Sequence, residues 1–332
     1  MNSALRDALP GAAVCQALEN IHFHENGRLV VIAAGKAAWE MARAAVERLG
    51  SRIDSGVVVT KYDHSKGALP PLQIYEAGHP VPDENSYLAT GKALEAVKDL
   101  TPNDDVLFLL SGGGSALFEQ PLVPAEEMAD LTKQLLACGA NIVEMNTLRK
   151  RLSAVKGGRF ALCCEPAHVY TVVLSDIIGD PLDMIASGPA YPDTSTCQEA
   201  IAIVERYGLK ISARAEVLLR TETPKELHNV TTFVTGSVKQ LCRSAAETCR
   251  QLGYEPVTLT ASLSCEAREA GAFLASIARD HQSDGKSLVY LAGGETVVHL
   301  TGNGKGGRNQ EIALAAAEGI AGCQNTCVFS FG

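Results

Sequence analysis

A glycine-rich turn after a long apolar run constrains the fold of this chain more than any other feature. Residues 105–118 read DVLFLLSGGGSALF, so the segment SGGGS separates a predicted buried strand from the start of a predicted helix. Backbone N–H groups at a helix start bind anions, and phosphate is the obvious candidate. Three glycines also suit an ordinary tight turn, because glycine adopts positive φ without steric cost. The hydroxyls of Ser111 and Ser115 bracket the turn, and this favours an anion site.

Composition predicts a cytosolic protein of two domains. A chain of 332 residues is too long for one ordinary core, and 46% hydrophobic with 20% charged residues is typical of folded proteins. No apolar run approaches the roughly 18 residues of a membrane span, and no signal peptide is evident, so we expect a cytoplasmic location and no membrane partner. A net charge of −9 argues against nucleic-acid binding. The ten cysteines are scattered, so we expect reduced, mostly buried thiols.

Apolar runs alternate with helical patterns along the chain, and this predicts an α/β fold. The first unit leads from a strand through a turn at Gly35-Lys36 into a helix. The stretch TETPKELHNV at 221–230 is the most linker-like, and we place the domain boundary there, between residues 1–228 and residues 229–332.

The second domain is expected to be a smaller α/β unit. A strand at 231–234 opens it, the segment 287–301 holds two strands, and the final residues, CVFSFG, read as one more strand. Between these, the string GNGKGG at 302–307 precedes a helix that starts at Arg308.

A basic patch lies at residues 149–159. It contains Arg149, Lys150, Arg151, Lys156 and Arg159. A charge run is usually a solvated helix face. Because two glycines interrupt the patch and it shares a domain with the anion loop, a functional role stays equally open.

Acidic residues follow the predicted strand HVYTVVL. Asp176 and Asp180 come directly after it, where parallel sheets place their ligands. The loop from Asp180 to Asp193 is long and rich in proline and glycine, and long ordered loops are often functional.

Common catalytic motifs are absent or incomplete. Gly285-Lys286-Ser287 ends like a P-loop, but the glycine required earlier is Asp280. The string at 302–307 satisfies G-x-G-x-x-G, yet no acid ends a following strand about 20 residues later to bind a ribose. Zinc-peptidase and serine-hydrolase motifs are missing too.

The remaining inventory suits a small-molecule kinase. Glycine turns end several strands, a lysine or arginine stands beside each, and free carboxylates lie nearby. Phosphoryl transfer needs this combination, because the protein supplies positioning, charge neutralisation and a carboxylate-held Mg²⁺ rather than covalent chemistry.

Four long motifs resemble the glycerate 2-kinases, a group formerly described as hydroxypyruvate reductases. They are AGHPVPD at 77–83, SGGGSALF at 111–118, LSDIIGDPLDMIASGP at 174–189, and GGET with GKGGRNQE within 293–311. The resemblance runs over nearly the whole chain. It implies phosphorylation of D-glycerate to 2-phosphoglycerate with ATP and Mg²⁺, in a cleft between a Rossmann-like three-layer N-terminal domain and a smaller MOFRL-type domain.

The resemblance also assigns site residues by motif. The catalytic residues are Lys36, Arg308 and Asp176, and Lys36 and Arg308 are expected to meet at the transferred phosphoryl group. The nucleotide-binding residues are Ser111, Gly112, Gly113, Gly114, Ser115, Gly304, Lys305, Gly306 and Gly307. The substrate-binding residues are Lys36, His79, Arg149 and Lys156, and the metal ligands are Asp176, Asp180 and Glu295.

Family members continue beyond the strand that matches CVFSFG, so we expect the 332-residue form to be weakly active or inactive and an extended form to regain turnover. Expected partners are D-glycerate and a nucleotide, and a homodimer is expected. An NAD(P)-dependent hydroxypyruvate reductase and a non-catalytic anion-binding protein are the alternative functions.

Overall fold

The computed structural model describes residues 9–174, 182–302 and 304–331. These residues form two compact units. The larger unit contains the described residues up to 237, and the smaller unit contains the described residues from 238 onward.

A six-stranded parallel sheet forms the centre of the larger unit, with strand order β3-β2-β1-β4-β5-β6. The strands are β1 Leu29–Ala34, β2 Ser55–Lys61, β3 Leu72–Ala77, β4 Asp105–Ser111, β5 His168–Leu174 and β6 Val230–Thr235. This is the order of doubly wound α/β folds, and it confirms the predicted fold class.

Both faces of the sheet are covered, as the continuous apolar strands require. Val30 and Ile32 of β1 belong to the core on one face, whereas Val31 and Leu29 belong to the core on the other. On β4 every residue is buried, and the ring of Phe108 packs 4.7 Å from that of a neighbouring phenylalanine. The sheet is therefore the middle of three layers.

The described residues form twelve α-helices. They are α1 Pro10–Leu18, α2 Ala38–Leu49, α3 Glu84–Ala96, α4 Gly114–Leu117, α5 Ala125–Ala137, α6 Ile142–Arg151, α7 Arg159–Cys163, α8 Cys197–Tyr207, α9 Ala213–Leu219, α10 Val238–Gln251, α11 Ala267–Asp280 and α12 Arg308–Gly319. Short 3₁₀ turns occupy Gly50–Arg52 and Ile185–Ser187. Asp83 caps α3 with a capping box.

The smaller unit has a two-stranded parallel sheet of β7 Glu255–Leu263 and β8 Leu288–Gly294. Helix α10 packs on both strands, and α11 packs on α12. The buried core is small, with Ala267, Ala270 and Ile312 at its centre.

Three strand predictions were wrong. The strand at 230–235 pairs with β5 in the sheet of the larger unit, although we expected it to open the second domain. After β8 the chain makes one isolated bridge, at Val297, instead of a second strand. Among the described residues, 327–331 form no strand, because a strand is defined by its ladder of hydrogen bonds and no described segment supplies that ladder.

No described helix is long and apolar enough to cross a membrane. All ten cysteines are free, and their reduced state stays a prediction. The prediction that they are mostly buried was wrong, because only Cys164 and Cys242 are buried.

Candidate active site

Two glycine turns meet at the switch point of the sheet, where β1 and β4 are neighbours and their connections diverge. The N–H of Lys36 donates to the Gly112 carbonyl at 2.8 Å, and the N–H of Ala37 donates to Ser111 Oγ at 3.1 Å. Gly35 has φ +124°, and a Cβ there would lie 2.2 Å from Ser111 Oγ. Only glycine therefore allows the turns to join.

Lys36 and His79 stand over the middle of the glycine loop. A Cβ on Gly113, which has φ +87°, would lie 3.1 Å from Lys36 Cγ and 3.2 Å from His79 Nε2. Lys36 is exposed, and among the described residues its ammonium has no hydrogen bond or ion pair. The structure thus brings together Lys36, His79 and the loop, all of which the sequence analysis selected.

Other basic groups surround this position. Burial lowers the pKa of His79 below its usual value, and the charges of Lys36, Lys61 and His64 lower it further. His64 Nδ1 lies 3.0 Å from the Lys36 carbonyl oxygen, so this nitrogen carries the proton and donates it. We call the surface formed by Lys36, Lys61, His64 and His79 the mouth of the switch point. It is positively charged, which suits an anionic ligand.

The loop continues into a helix of only four residues, α4. A Cβ on Gly114 would lie 2.8 Å from the Ala186 Cβ, so the 3₁₀ turn presses directly on the loop. Ala186 and Ser187 both have left-handed φ, at 51° and 62°. Ser187 Oγ lies 3.4 Å from Ser115 Oγ and donates to Asn146 at 3.1 Å. Backbone strain of this kind is common at functional sites.

Arg149 and Lys156 also converge on this loop, but from inside. Each donates to the Ser115 carbonyl, at 3.1 and 2.9 Å, and Lys156 also binds the Phe118 carbonyl. Lys156 is fully buried and forms an ion pair with Glu119 at 3.4 Å. Burial lowers its pKa to about 8. This geometry makes Lys156 a support of the loop and leaves no open face for a substrate.

The other basic residues of the patch are internal as well. Lys150 and Arg151 are buried, and both bind the buried carboxylate of Asp193. Arg159 donates to two backbone carbonyls. Lys150 and Arg151 therefore hold α6 against the segment that contains Asp193 and Ser195. The patch as a whole is neither a solvated helix face nor an open anion site.

The smaller unit places the late glycine loop beside a carboxylate. Arg308 binds Glu295 and donates to the Thr296 carbonyl at 3.2 Å. An open pocket of about 540 Å³ is lined by Glu295, Arg308 and the glycines at 306–307. Gly304, Lys305, Gly306 and Gly307 are all exposed at the uncapped N-terminus of α12. This arrangement leaves basic groups and free N–H donors accessible to an anion.

A metal site is not assembled by the described part of the chain, where no three metal-binding side chains cluster. Of the predicted ligands, Asp176 and Asp180 lie outside the described residues. The predicted catalytic role of Asp176 therefore stays a prediction. Glu295 offers the hard oxygen ligand that Mg²⁺ prefers, but here its carboxylate is paired with Arg308. The metal assignment stays a prediction.

Sequence reasoning missed Lys61, His64, Asn146 and Ser187. Lys61 is the last residue of β2 and His64 lies in the loop that follows it. The rule that parallel strands end at one edge of a sheet could have selected them. Nothing in the sequence signals that Asn146 and Ser187 would meet the glycine loop.

Comparison with known proteins agrees with the fold and the motifs. A family model described as a domain of unknown function, DUF4147, matches residues 1–220, and the MOFRL family model matches residues 288–332. A D-glycerate 2-kinase of Thermotoga maritima is 48% identical over 338 residues, which cover 100% of this chain and 80% of that protein.

Two further comparisons define the relationship. A putative hydroxypyruvate reductase of Agrobacterium vitis is 40% identical over 97% of this chain and 75% of its own length. A crystal structure of glycerate kinase from Thermotoga maritima superposes with a TM-score of 0.93 at 49% identity, covering 97% of this chain and 79% of that one. The resemblance inferred from the motifs is confirmed: the chain belongs to the glycerate 2-kinase family.

Proposed function

We propose that this protein transfers the γ-phosphoryl group of ATP to the C2 hydroxyl of D-glycerate and releases 2-phosphoglycerate. One observation carries the proposal: the Lys36 turn and the glycine loop are joined at the switch point of the sheet, with an unpaired ammonium above them. This is where doubly wound sheets bind ligands. Membership of the family supports the same activity.

The larger unit is proposed to hold the negative charges of the reactants. Lys36 and Lys61 supply positive charge at the mouth, and the carboxylate and phosphates of the reactants are anionic. Ser111 through Ser115 are proposed to contact phosphate, although α4 is too short to add a substantial helix dipole. Arg149 and Lys156 both donate to the Ser115 carbonyl. The fully buried Lys156 is proposed to position the loop, and the predicted substrate contact of Arg149 stays a proposal.

The smaller unit is proposed to bind the nucleotide phosphates through Lys305 and Arg308. A guanidinium binds phosphate oxygens in a bidentate manner, and the N–H groups of the glycine loop add further donors. Glu295 in the smaller unit and, separately, Asp176 and Asp180 are proposed Mg²⁺ ligands, and the ion would neutralise phosphate charge. Mg²⁺ commonly uses only one or two carboxylates together with substrate phosphates.

The experiment is a comparison of two coupled assays on the purified protein. With D-glycerate, ATP and Mg²⁺ we expect ADP release, and with hydroxypyruvate we expect no oxidation of NADH. Lys36→Met should abolish ADP release, whereas Lys66→Met should not, because Lys66 lies on the next loop and is paired with Glu40. NADH oxidation without ADP release would replace the kinase by the reductase. Phosphate binding without either reaction would favour the non-catalytic alternative.

The cytoplasmic location and the homodimer stay predictions. Size-exclusion chromatography with light scattering tests the second, and a monomeric mass at assay concentration would exclude it.

A further inference from the structure

We infer that His79 is the general base of the reaction, which takes the proton from the substrate hydroxyl as that oxygen attacks the γ-phosphorus. The inference rests on the proposed function and deepens it. The family resemblance implies only a substrate-binding role for His79.

The geometry places one ring nitrogen of His79 at the joined turns. Nε2 lies 3.2 Å from the position that a Cβ on Gly113 would take, next to the stem of Lys36. The ring is half-buried, and among the described residues neither nitrogen has a hydrogen bond or an ion pair. A general base needs a free lone pair, and it must lie within reach of the reacting hydroxyl. His79 has the free lone pair, and it lies at the joined turns, where a bound substrate hydroxyl can come within reach.

His64, the other histidine at this mouth, is committed elsewhere. Its Nδ1 donates to the Lys36 carbonyl at 3.0 Å, so it holds the Lys36 turn in place. His79 is therefore the better placed of the two imidazoles to exchange a proton with a ligand.

Burial and the surrounding charges both favour the neutral form of the His79 ring, which is the form that can accept a proton. Burial lowers its pKa, and Lys36, Lys61 and His64 lower it further. Lys36 comes from the turn after β1, and the other two come from the end of β2 and the loop that follows it.

The acids near His79 in the chain are held by other donors. Glu76 accepts the backbone N–H of His64 at 3.1 Å, and Asp83 accepts the Tyr62 hydroxyl at 2.7 Å. Neither carboxylate is paired with the His79 ring, so the charges that act on it are predominantly positive.

The proposed step moves one proton to His79 and exchanges one phosphorus–oxygen bond for another. The O–H bond of the C2 hydroxyl breaks and its proton passes to His79, while the oxygen forms a bond to the γ-phosphorus of ATP. The bond from that phosphorus to the bridging oxygen breaks, and ADP leaves with the electron pair. The imidazolium of His79 then returns its proton to water.

Removal of the imidazole is the first test. His79→Ala should lower kcat by about 10²- to 10⁴-fold with little change in KM, and added imidazole should restore part of the rate. His228→Ala is the matched control, because His228 is exposed on the linker before β6, and it should behave as the unchanged protein. A rise in KM with unchanged kcat, or no rescue of the rate by imidazole, would show that His79 only binds substrate.

Charge near the ring provides a second test that does not depend on removing His79. The basic form is active, so kcat/KM falls as pH drops below the pKa of His79. Lys61→Met removes a positive charge and should raise this pKa, which moves the acid limb to higher pH. Lys66→Met should leave the limb in place, since Lys66 is not among the groups that act on His79.

An NMR titration of the His79 ring separates this inference from the proposed function. The pKa from NMR in the free protein should match the acid limb of kcat/KM and rise in Lys61→Met. If the protein transfers phosphate but His79→Ala keeps the acid limb, the base lies elsewhere and the inference fails alone. If the unchanged protein transfers no phosphate, the proposed function itself fails.

Discussion

Replacement of the buried Lys156 by methionine should destabilise the protein strongly at neutral pH. The ammonium is fully buried and binds the carboxylate of Glu119, which is itself 1% exposed, and two carbonyls. Removing one partner of a buried ion pair leaves the other charge uncompensated, and this typically costs about 3–5 kcal/mol. Lys156→Met together with Glu119→Gln removes both charges and should recover part of that loss.

The same site predicts a specific pH dependence. Burial lowers the pKa of Lys156 from 10.5 to about 8, and Glu119 opposes this only in part. At 1.36 kcal/mol per pKa unit, the lowered pKa means that folding disfavours the charged form of Lys156, relative to its neutral form, by ~3 kcal/mol. Between pH 8 and 10.5 the unfolded chain binds the proton more tightly than the folded protein does, so the stability contributed by this group rises with pH. Below pH 8 the full penalty of the buried charge applies.

Urea denaturation of the protein and of Lys156→Met, followed by circular dichroism at pH 7.5 and pH 10, measures both effects. Lys61→Met serves as the control, because Lys61 makes no ion pair among the described residues, and it should change the unfolding free energy by less than about 0.5 kcal/mol. The reasoning is refuted if Lys156→Met unfolds at the same urea concentration as the unchanged protein at pH 7.5. It is also refuted if the difference between the two does not grow towards pH 10.

Three further predictions concern other parts of the chain. Arg308→Ala should lower kcat by about 10³-fold without changing the melting temperature, and Arg308→Lys should recover only part of kcat, because a point charge does not replace the planar guanidinium. The control is Arg268→Ala, which replaces an exposed arginine of the same unit. Equal kcat values for all three variants would exclude a catalytic role for Arg308. Gly35→Ala should lower the free energy of unfolding by more than about 2 kcal/mol, because the new Cβ would lie 2.2 Å from Ser111 Oγ. Gly50→Ala, where no atom lies within 4 Å of the new Cβ, should lower it by about 1 kcal/mol, as measured by thermal unfolding. Similar losses in the two variants would contradict the close packing of the joined turns. Burial alone would raise the pKa of Asp104, but hydrogen bonds from Arg28 and Thr101 lower it to about 2. Asp104→Asn should therefore lower the melting temperature at pH 7, and this effect should disappear as pH falls from 4 towards 2. A difference in melting temperature between the two proteins that stays constant with pH would contradict this prediction.

The sheet and its turns could be predicted because their signals are local. Continuous apolar runs mark strands that are buried on both faces, and glycines mark the turns that follow, so Gly35 and the loop at 111–115 were found directly. The cap of α3 is an equally local feature, because the Asp83 carboxylate accepts the N–H of Ser86, three residues away.

The basic patch could not be interpreted from sequence, because its partners are distant. Lys150 and Arg151 are neutralised by Asp193, about forty residues further along, and Lys156 is paired with Glu119. A run of charges in sequence looks the same whether its partner is water or a buried carboxylate.

The strand at 230–235 shows the same limit for topology. Its apolar residues identified it as a strand, but its membership of the first sheet depends on pairing with β5, more than fifty residues earlier. A linker-like composition before a strand therefore does not fix which sheet the strand joins.

The most direct test of the central claim is the identity of the phosphorylated product. ³¹P NMR of a reaction that contains the protein, ATP, Mg²⁺ and D-glycerate should show ADP and 2-phosphoglycerate forming in equal amounts, and no product with Lys36→Met. Formation of 3-phosphoglycerate would contradict attack by the C2 hydroxyl. Undiminished product with Lys36→Met would contradict the assignment of the reaction to the joined turns at the switch point.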